Sequence, residues 1–260
     1  MFAPLLKHNF SQVQKICFAG LFIAIITILQ KVVAINYISV VPFLRVSFGG
    51  CAMLIFASIL LGPWYGLLIG AASDVLGYFI FDPKTMGFFP QITAIYALLG
   101  FLSYFVFKLI MKITNKKIMR IVEYSLMAII LIVVSLFVTL NEQVNLYGTV
   151  YNLALWQKIL IPCLGGVLCI VLVIVSELTE KLFKKKNDSR LLINPIQVSF
   201  SSFILEIVVM IIFGTLMKGC AFGFATYGAI LLCQLMVMII NVPLNTFIVS
   251  YIMLVTRGLK

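Results

Sequence analysis

The sequence predicts an all-α integral membrane protein, multi-pass, with about eight transmembrane helices. Three observations carry this expectation. Hydrophobic residues make up 63% of the 260 residues and charged residues only 10%, with a mean hydropathy of +1.18. An ordinary soluble domain has about a quarter of its residues charged, so a chain this apolar cannot cover a water-facing surface and its exterior must be lipid. Apolar runs of the ~20 residues that a helix needs to cross a bilayer recur along the whole length. Lys and Arg, finally, gather in alternate connections, the charge signature of cytoplasmic loops.

The predicted spans lie at roughly 14–35, 45–62, 64–82, 89–113, 121–140, 156–180, 196–217 and 225–256. The first begins like a secretory leader, after Lys7, His8 and Lys15, but no small-x-small cleavage site ends it, so it is read as a helix. Spans 2 and 3 meet at Leu61-Gly62-Pro63-Trp64-Tyr65-Gly66, a stop and restart in which Pro63 opens the new helix without needing its missing N–H. Phe81-Asp82-Pro83-Lys84-Thr85-Met86-Gly87 reads as an outer turn. Lys184-Lys185-Lys186-Asn187-Asp188-Ser189-Arg190 reads as a solvated inner loop within reach of anionic lipid. Strands are not expected, because no segment of about ten residues alternates apolar and polar side chains. With the N-terminus inside, only Lys31, Arg45, Lys84, Lys158 and Lys218 of the 19 basic residues fall on the outer side. That bias predicts an even number of spans, with both termini cytoplasmic, in the cell (plasma) membrane.

The same composition excludes several functions. A net charge of +11 is absorbed by the inner loops and implies no nucleic acid. The cysteines Cys17, Cys51, Cys163, Cys169, Cys220 and Cys233 form no Cys-x-x-Cys pair, and His8 is the only histidine, so no metal or other cofactor is expected. No phosphate loop, H-E-x-x-H or G-x-S-x-G occurs, so the chain is not expected to be an enzyme, and any ATP hydrolysis belongs to other chains. The close pair Glu177 and Glu180 has Lys181 and Lys184 within a turn and reads as a solvated ion-pair face.

Phe43-Leu44-Arg45-Val46-Ser47-Phe48-Gly49, Gly62-Pro63-Trp64-Tyr65-Gly66, Gly70-Ala71-Ala72-Ser73-Asp74-Val75-Leu76-Gly77-Tyr78 and Phe88-Phe89-Pro90-Gln91-Ile92-Thr93-Ala94 follow one another between residues 43 and 94, and Val242-Pro243-Leu244-Asn245-Thr246 stands near the end. These blocks, about a third of the chain, resemble the folate-family substrate-binding subunit (S component) of energy-coupling-factor (ECF) vitamin transporters. The resemblance implies a single transmembrane domain with a six-helix S-component core, about 1–114 and 194–260, plus two inserted helices at about 119–185 that lie outside the ligand cavity. It implies a membrane-embedded subunit that captures a vitamin, folate first, beneath the loop from about Asn36 to Val41. It also implies an ECF transmembrane coupling subunit and two ATPase subunits as partners. The family's full asparagine-threonine-leucine-tryptophan signature is missing, and Gln234 stands where a basic residue is expected early in the last helix. Both departures bear on which vitamin is bound. An S component for another water-soluble vitamin and a stand-alone secondary transporter are the alternative readings. A carrier of the second kind usually shows internal repeats, and none stands out here.

Polar residues within spans are few and expensive, so each is a candidate. The Arg45 fork can hold a carboxylate with two hydrogen bonds, or it is an interfacial anchor. Ser47 can add a hydroxyl, or bond its own helix. Asp74 can accept two N–H groups from a pterin edge, or pair structurally with Arg45 or a neighbouring helix. Phe48, Tyr78, Phe88 and Phe89 can stack on a flat heterocycle or simply fill the core. Gln91, Thr93, Gln234 and Asn245 can orient the ligand or bond adjacent helices. Glu206, mid-span, can face the cavity or a partner. Span 1 carries Gly20-Leu21-Phe22-Ile23-Ala24, whose small residues permit close helix approach. The resemblance assigns this face, Gly20 and Ala24, to docking on the coupling subunit; internal packing is the alternative.

Overall fold

The computed structural model describes residues 10–33, 49–81, 87–113, 115–146, 149–185, 195–223 and 227–256. Helices α1 (Gln12–Lys31), α2 (Gly50–Leu61), α3 (Pro63–Phe81) and α4 (Pro90–Ile110) form one half of the molecule. Next come α5 (Lys116–Leu140), a hairpin of β1 (Gln143–Leu146) and β2 (Thr149–Asn152), and α6 (Leu155–Lys185). A single long rod follows, built from α7 (Pro195–Leu205), a π-helical segment (Glu206–Phe213) and α8 (Gly214–Phe222), and α9 (Tyr227–Thr256) closes the fold. Among the described residues, 7 helices are long and apolar enough to cross a membrane. The chain is an all-α integral membrane protein, as its composition requires.

The ends of these helices follow local chemistry. Ser11 caps α1 reciprocally: its hydroxyl accepts from Gln14 N–H at 3.3 Å, while its own N–H donates to the Gln14 side chain at 2.9 Å. Between α2 and α3, Gly62 adopts φ 101°, which only glycine takes up without strain, and Pro63 starts the next helix. This is the stop and restart read from the sequence.

Three features differ from expectation. The second span was expected to begin near residue 45, but α2 starts at Gly50 and has 12 residues, about 18 Å of helix against a hydrocarbon core of ~30 Å. All of its residues except Met53 are buried. A helix covered by protein has no need to match the lipid thickness. Its first turn is pinned: Gly49 has φ 78°, and a Cβ on Gly50 would overlap the side chain of Gln30. Second, the α5–α6 connection is an antiparallel hairpin with Gln143 opposite Asn152 and Leu146 opposite Thr149. Two four-residue strands lie below the length at which alternation is legible. Third, Glu177 and Glu180 have a cationic partner outside α6. Arg120 of α5 holds both, Glu177 at 3.0 Å, and Glu180 is buried. The partner comes from a neighbouring helix, which spacing along α6 cannot reveal.

The main apolar core lies among α1–α4, α7 and α9. Its tightest contact joins α3 to α4. Cβ atoms added at Gly66, Gly70 or Gly100 would collide with backbone carbonyls of the opposite helix: Gly66 with Gly100, and Gly70 with Tyr96. Lipid tails supply no hydrophobic drive between helices, so such close approach is what binds them. The backbones of α5 and α6 approach only each other, α7 and α9 among the described elements, so the pair sits on the far side of α7 and α9 from α1–α3.

Candidate binding site between α3, α4 and α9

The glycine contacts aim the site's acidic group. Gly66, Gly70 and Asp74 recur every fourth residue along one face of α3. Opposite them on α4, read in the reverse direction, are Gly100, Tyr96 and Thr93. Asp74 therefore occupies the last rung of a backbone-to-backbone ladder, where Thr93 Oγ1 donates to its carboxylate at 2.7 Å. Asp74 is buried, about two turns before the C-terminal end of α3. Thr93 fills one of the several acceptor positions that a carboxylate offers.

Aromatic rings stand above this pair. Tyr78 and Phe88 have centroids 5.4 Å apart, and Phe79 stacks on Phe88 at 6.0 Å. Phe88 is exposed and Phe89 half-buried, immediately before Pro90 opens α4. The side chain of Lys31, at the end of α1, crosses Gly77 of α3, where an added Cβ would sit 2.9 Å from its Cε. Reading the sequence placed Lys31 only as an outer charge. Its contact with the Asp74 face depends on Gly77 having no side chain.

A second polar group lies deeper, between the π-helical segment and α9. Glu206 is buried and accepts from Asn245 Nδ2 at 3.4 Å, with Asn241 also bonded to it. Gln234, two turns outward on the same face of α9 as Asn241, is buried. Its Nε2 has no hydrogen-bond partner among the described residues and lies 3.7 Å from where a Gly214 Cβ would be. Ile95 of α4 reaches the same point at 3.8 Å. One turn before Ile95 on α4, Gln91 Oε1 is also buried without a partner among the described residues. Unpaired amide groups in a membrane interior are costly, and a bound ligand or water would satisfy them.

Of the residues singled out from the sequence, the structure brings Asp74 and Thr93 into direct contact, sets Tyr78, Phe88, Phe89 and Gln91 at the same end, and places Gln234 and Asn245 on the α9 wall. Arg45, Ser47, Phe48 and the loop from Asn36 to Val41 lie outside the described residues, as do Lys84 and the run Lys186–Arg190. Asn241 was missed, although it stands four residues before Asn245 and seven after Gln234, the helical spacing that would have found it. Gly20 and Ala24 are exposed on the outside of α1, and nothing lies within 4 Å of a Cβ at Gly20.

The sequence pattern of a family described as ECF-type riboflavin transporter, S component, matches residues 10–184. No curated protein and no solved structure matches the chain.

Proposed function

The chain belongs to the family of ECF-type transporter S components, the vitamin-binding membrane subunits of such importers, and we propose that its own ligand is a flat heteroaromatic vitamin, folate first. The observation that carries this reading is the buried Asp74 carboxylate, held by Thr93 beneath the ring cluster of Tyr78 and Phe88. A carboxylate so placed accepts the adjacent N–H donors of a 2-amino-4-oxo pterin edge, and the rings flank its faces. The glutamate tail of folate would meet Arg45 or Lys31. Nanomolar capture needs about −12 kcal/mol, the scale reached by sites that combine aromatic walls with a few aimed polar groups.

Riboflavin is the second reading. It is the vitamin named in the matched family's description. Its ring imide also offers an N–H to Asp74. Its uncharged polyol chain suits the amides of Gln91, Gln234, Asn241 and Asn245, and the presence of Gln234 in place of a cation favours a neutral tail. Calorimetry of the purified chain with folic acid and riboflavin decides between them. Tight binding of a vitamin other than these two, with neither of them bound, removes both substrates.

Uptake then requires separate chains, an ECF coupling subunit and ATPases, since this subunit is no enzyme. The exposed Gly20 and Ala24 face of α1 is the surface proposed to meet the coupling subunit. The α5–α6 pair is read as an addition to a six-helix core, supported by its backbone approaching α7 and α9 but not α1–α4 among the described elements. Both termini are placed in the cytoplasm of a plasma-membrane protein. Cysteines introduced at Lys186 and Lys84 should therefore be labelled from opposite sides, and labelling from one side sinks this topology.

A further inference from the structure

The two helices that form the deeper wall of the site both have built-in breaks. Helix α9 contains Pro243, which removes one helical hydrogen bond and loosens the rod at that level. The rod of α7 and α8 is interrupted by the π-helical segment from Glu206 to Phe213. The α5–hairpin–α6 unit grips each rod beyond its break. At the outer side, Val144 of β1 is buried in a cluster with Ala229, Ile230 and Leu232 of α9, Val134 and Val138 of α5, and Ile161 of α6. The Phe137 ring lies 3.6 Å from where a Gly228 Cβ would be. Ile230 is one turn outward of Gln234. The hairpin is held closed at its base by Leu153 N–H donating to Glu142 O at 2.9 Å. At the inner side, Ser199 of α7 donates to the buried Glu123 of α5, and Ser199 stands on the same face as Glu206, two turns below it. Arg120, one turn from Glu123, ties α5 to α6 through Glu177 and Glu180.

We propose that the α5–hairpin–α6 unit is a brace that positions Gln234 and Glu206 for the ligand, so that Val144, Phe137 and Glu123 set vitamin affinity without touching the vitamin. The inference rests on the reading that the wall of α7 and α9 faces a bound vitamin. Its physical basis is that helices in lipid are held by packing and hydrogen bonds alone, so a rod broken at Pro243 keeps its outer half in place only if something grips that half.

The test uses the full chain in nanodiscs, with hydrogen exchange along the chain and affinity for folic acid and riboflavin as paired readouts. In Val144→Asp, exchange across residues 227–242 should rise while residues 63–110 stay as in the parent, and affinity for whichever vitamin the parent binds should fall at least tenfold. Val144→Ile should restore both. Phe137→Ala gives the same pattern more weakly and serves if Val144→Asp does not assemble. Glu123→Ala should loosen residues 195–213, and Glu123→Gln, which still accepts from Ser199, should not. Unchanged exchange at 227–242 in the outer variants overturns the brace, as does raised exchange with affinity within twofold of the parent. If the parent binds neither vitamin, the substrate reading fails and exchange alone decides the brace.

Discussion

The α3–α4 pair and the α5–α6 pair are both antiparallel helical hairpins, the second the more apolar, with mean hydropathies of 2.6 and 2.7 against 1.4 and 1.8, and they are held together by different means. In the apolar windows of α3 and α4, 33% of residues are buried; in that of α6 only 6% are. Glycine lets α3 and α4 touch backbone to backbone, and the contact runs straight into the Asp74–Thr93 bond. The pair α5–α6 stands apart at side-chain distance and is tied, near the start of α5 and the end of α6, by Arg120 and two carboxylates. The difference teaches where precision resides. A ladder of small residues has one register and can aim a carboxylate; a hairpin mostly facing lipid can vary its surface freely and steady its neighbours.

The comparison breaks most visibly if the ladder is wedged. Gly70→Leu or Gly100→Leu places a side chain into the opposing backbone and should abolish vitamin binding, or folding, whereas Gly166→Leu in α6, with nothing within 4 Å of its Cβ, should leave binding and yield unchanged. Calorimetry and detergent-solubilised yield check both arms. If Gly70→Leu is tolerated, the ladder does not aim the site.

The outward face of the same half gives the next contrast. Gly20→Trp or Ala24→Trp should abolish ATP-dependent uptake by the assembled complex, while vitamin affinity stays within about threefold, a change under ~0.7 kcal/mol. Unchanged uptake in both removes this face as the docking surface. Loss of binding in both would mean that it packs inside the subunit.

A finer cut is chemical. Asp74→Asn keeps shape and removes charge, and should weaken binding by about 1.5–3 kcal/mol, the worth of a hydrogen bond to an ionised group, with little change in thermal stability. Affinity held at the parental value would leave Asp74 a purely structural partner of Thr93.

The smallest effect is expected in the second hairpin. Arg120 is partly exposed, so screening reduces what its ion pairs contribute. Arg120→Ala, which removes the α5 partner of the buried Glu180, should still cost about 1–3 kcal/mol of stability. Arg120→Lys should recover part of it, since one ammonium cannot serve two carboxylates as a planar fork does. A melting curve identical to the parent would show that α6 needs no inner tie.

Much of this molecule follows from its sequence alone. Lipid demands that every backbone group be paired within a helix, so apolar runs of bilayer length had to become spans, and Gly62 with Pro63 had to end one helix and begin another. The polar candidates were legible for the same reason: in a chain with so few, Asp74, Gln234 and Asn245 stand out unaided. Tertiary structure decided the rest. Burial of α2 removed the length requirement that lipid would have imposed on it. Whether Asp74 meets Thr93, whether Glu180 meets Arg120, and whether Lys31 can cross α3 at Gly77 all depend on which residue stands opposite. Register between helices is set by contacts far apart in the chain, and no periodicity along one helix encodes what the next one presents to it.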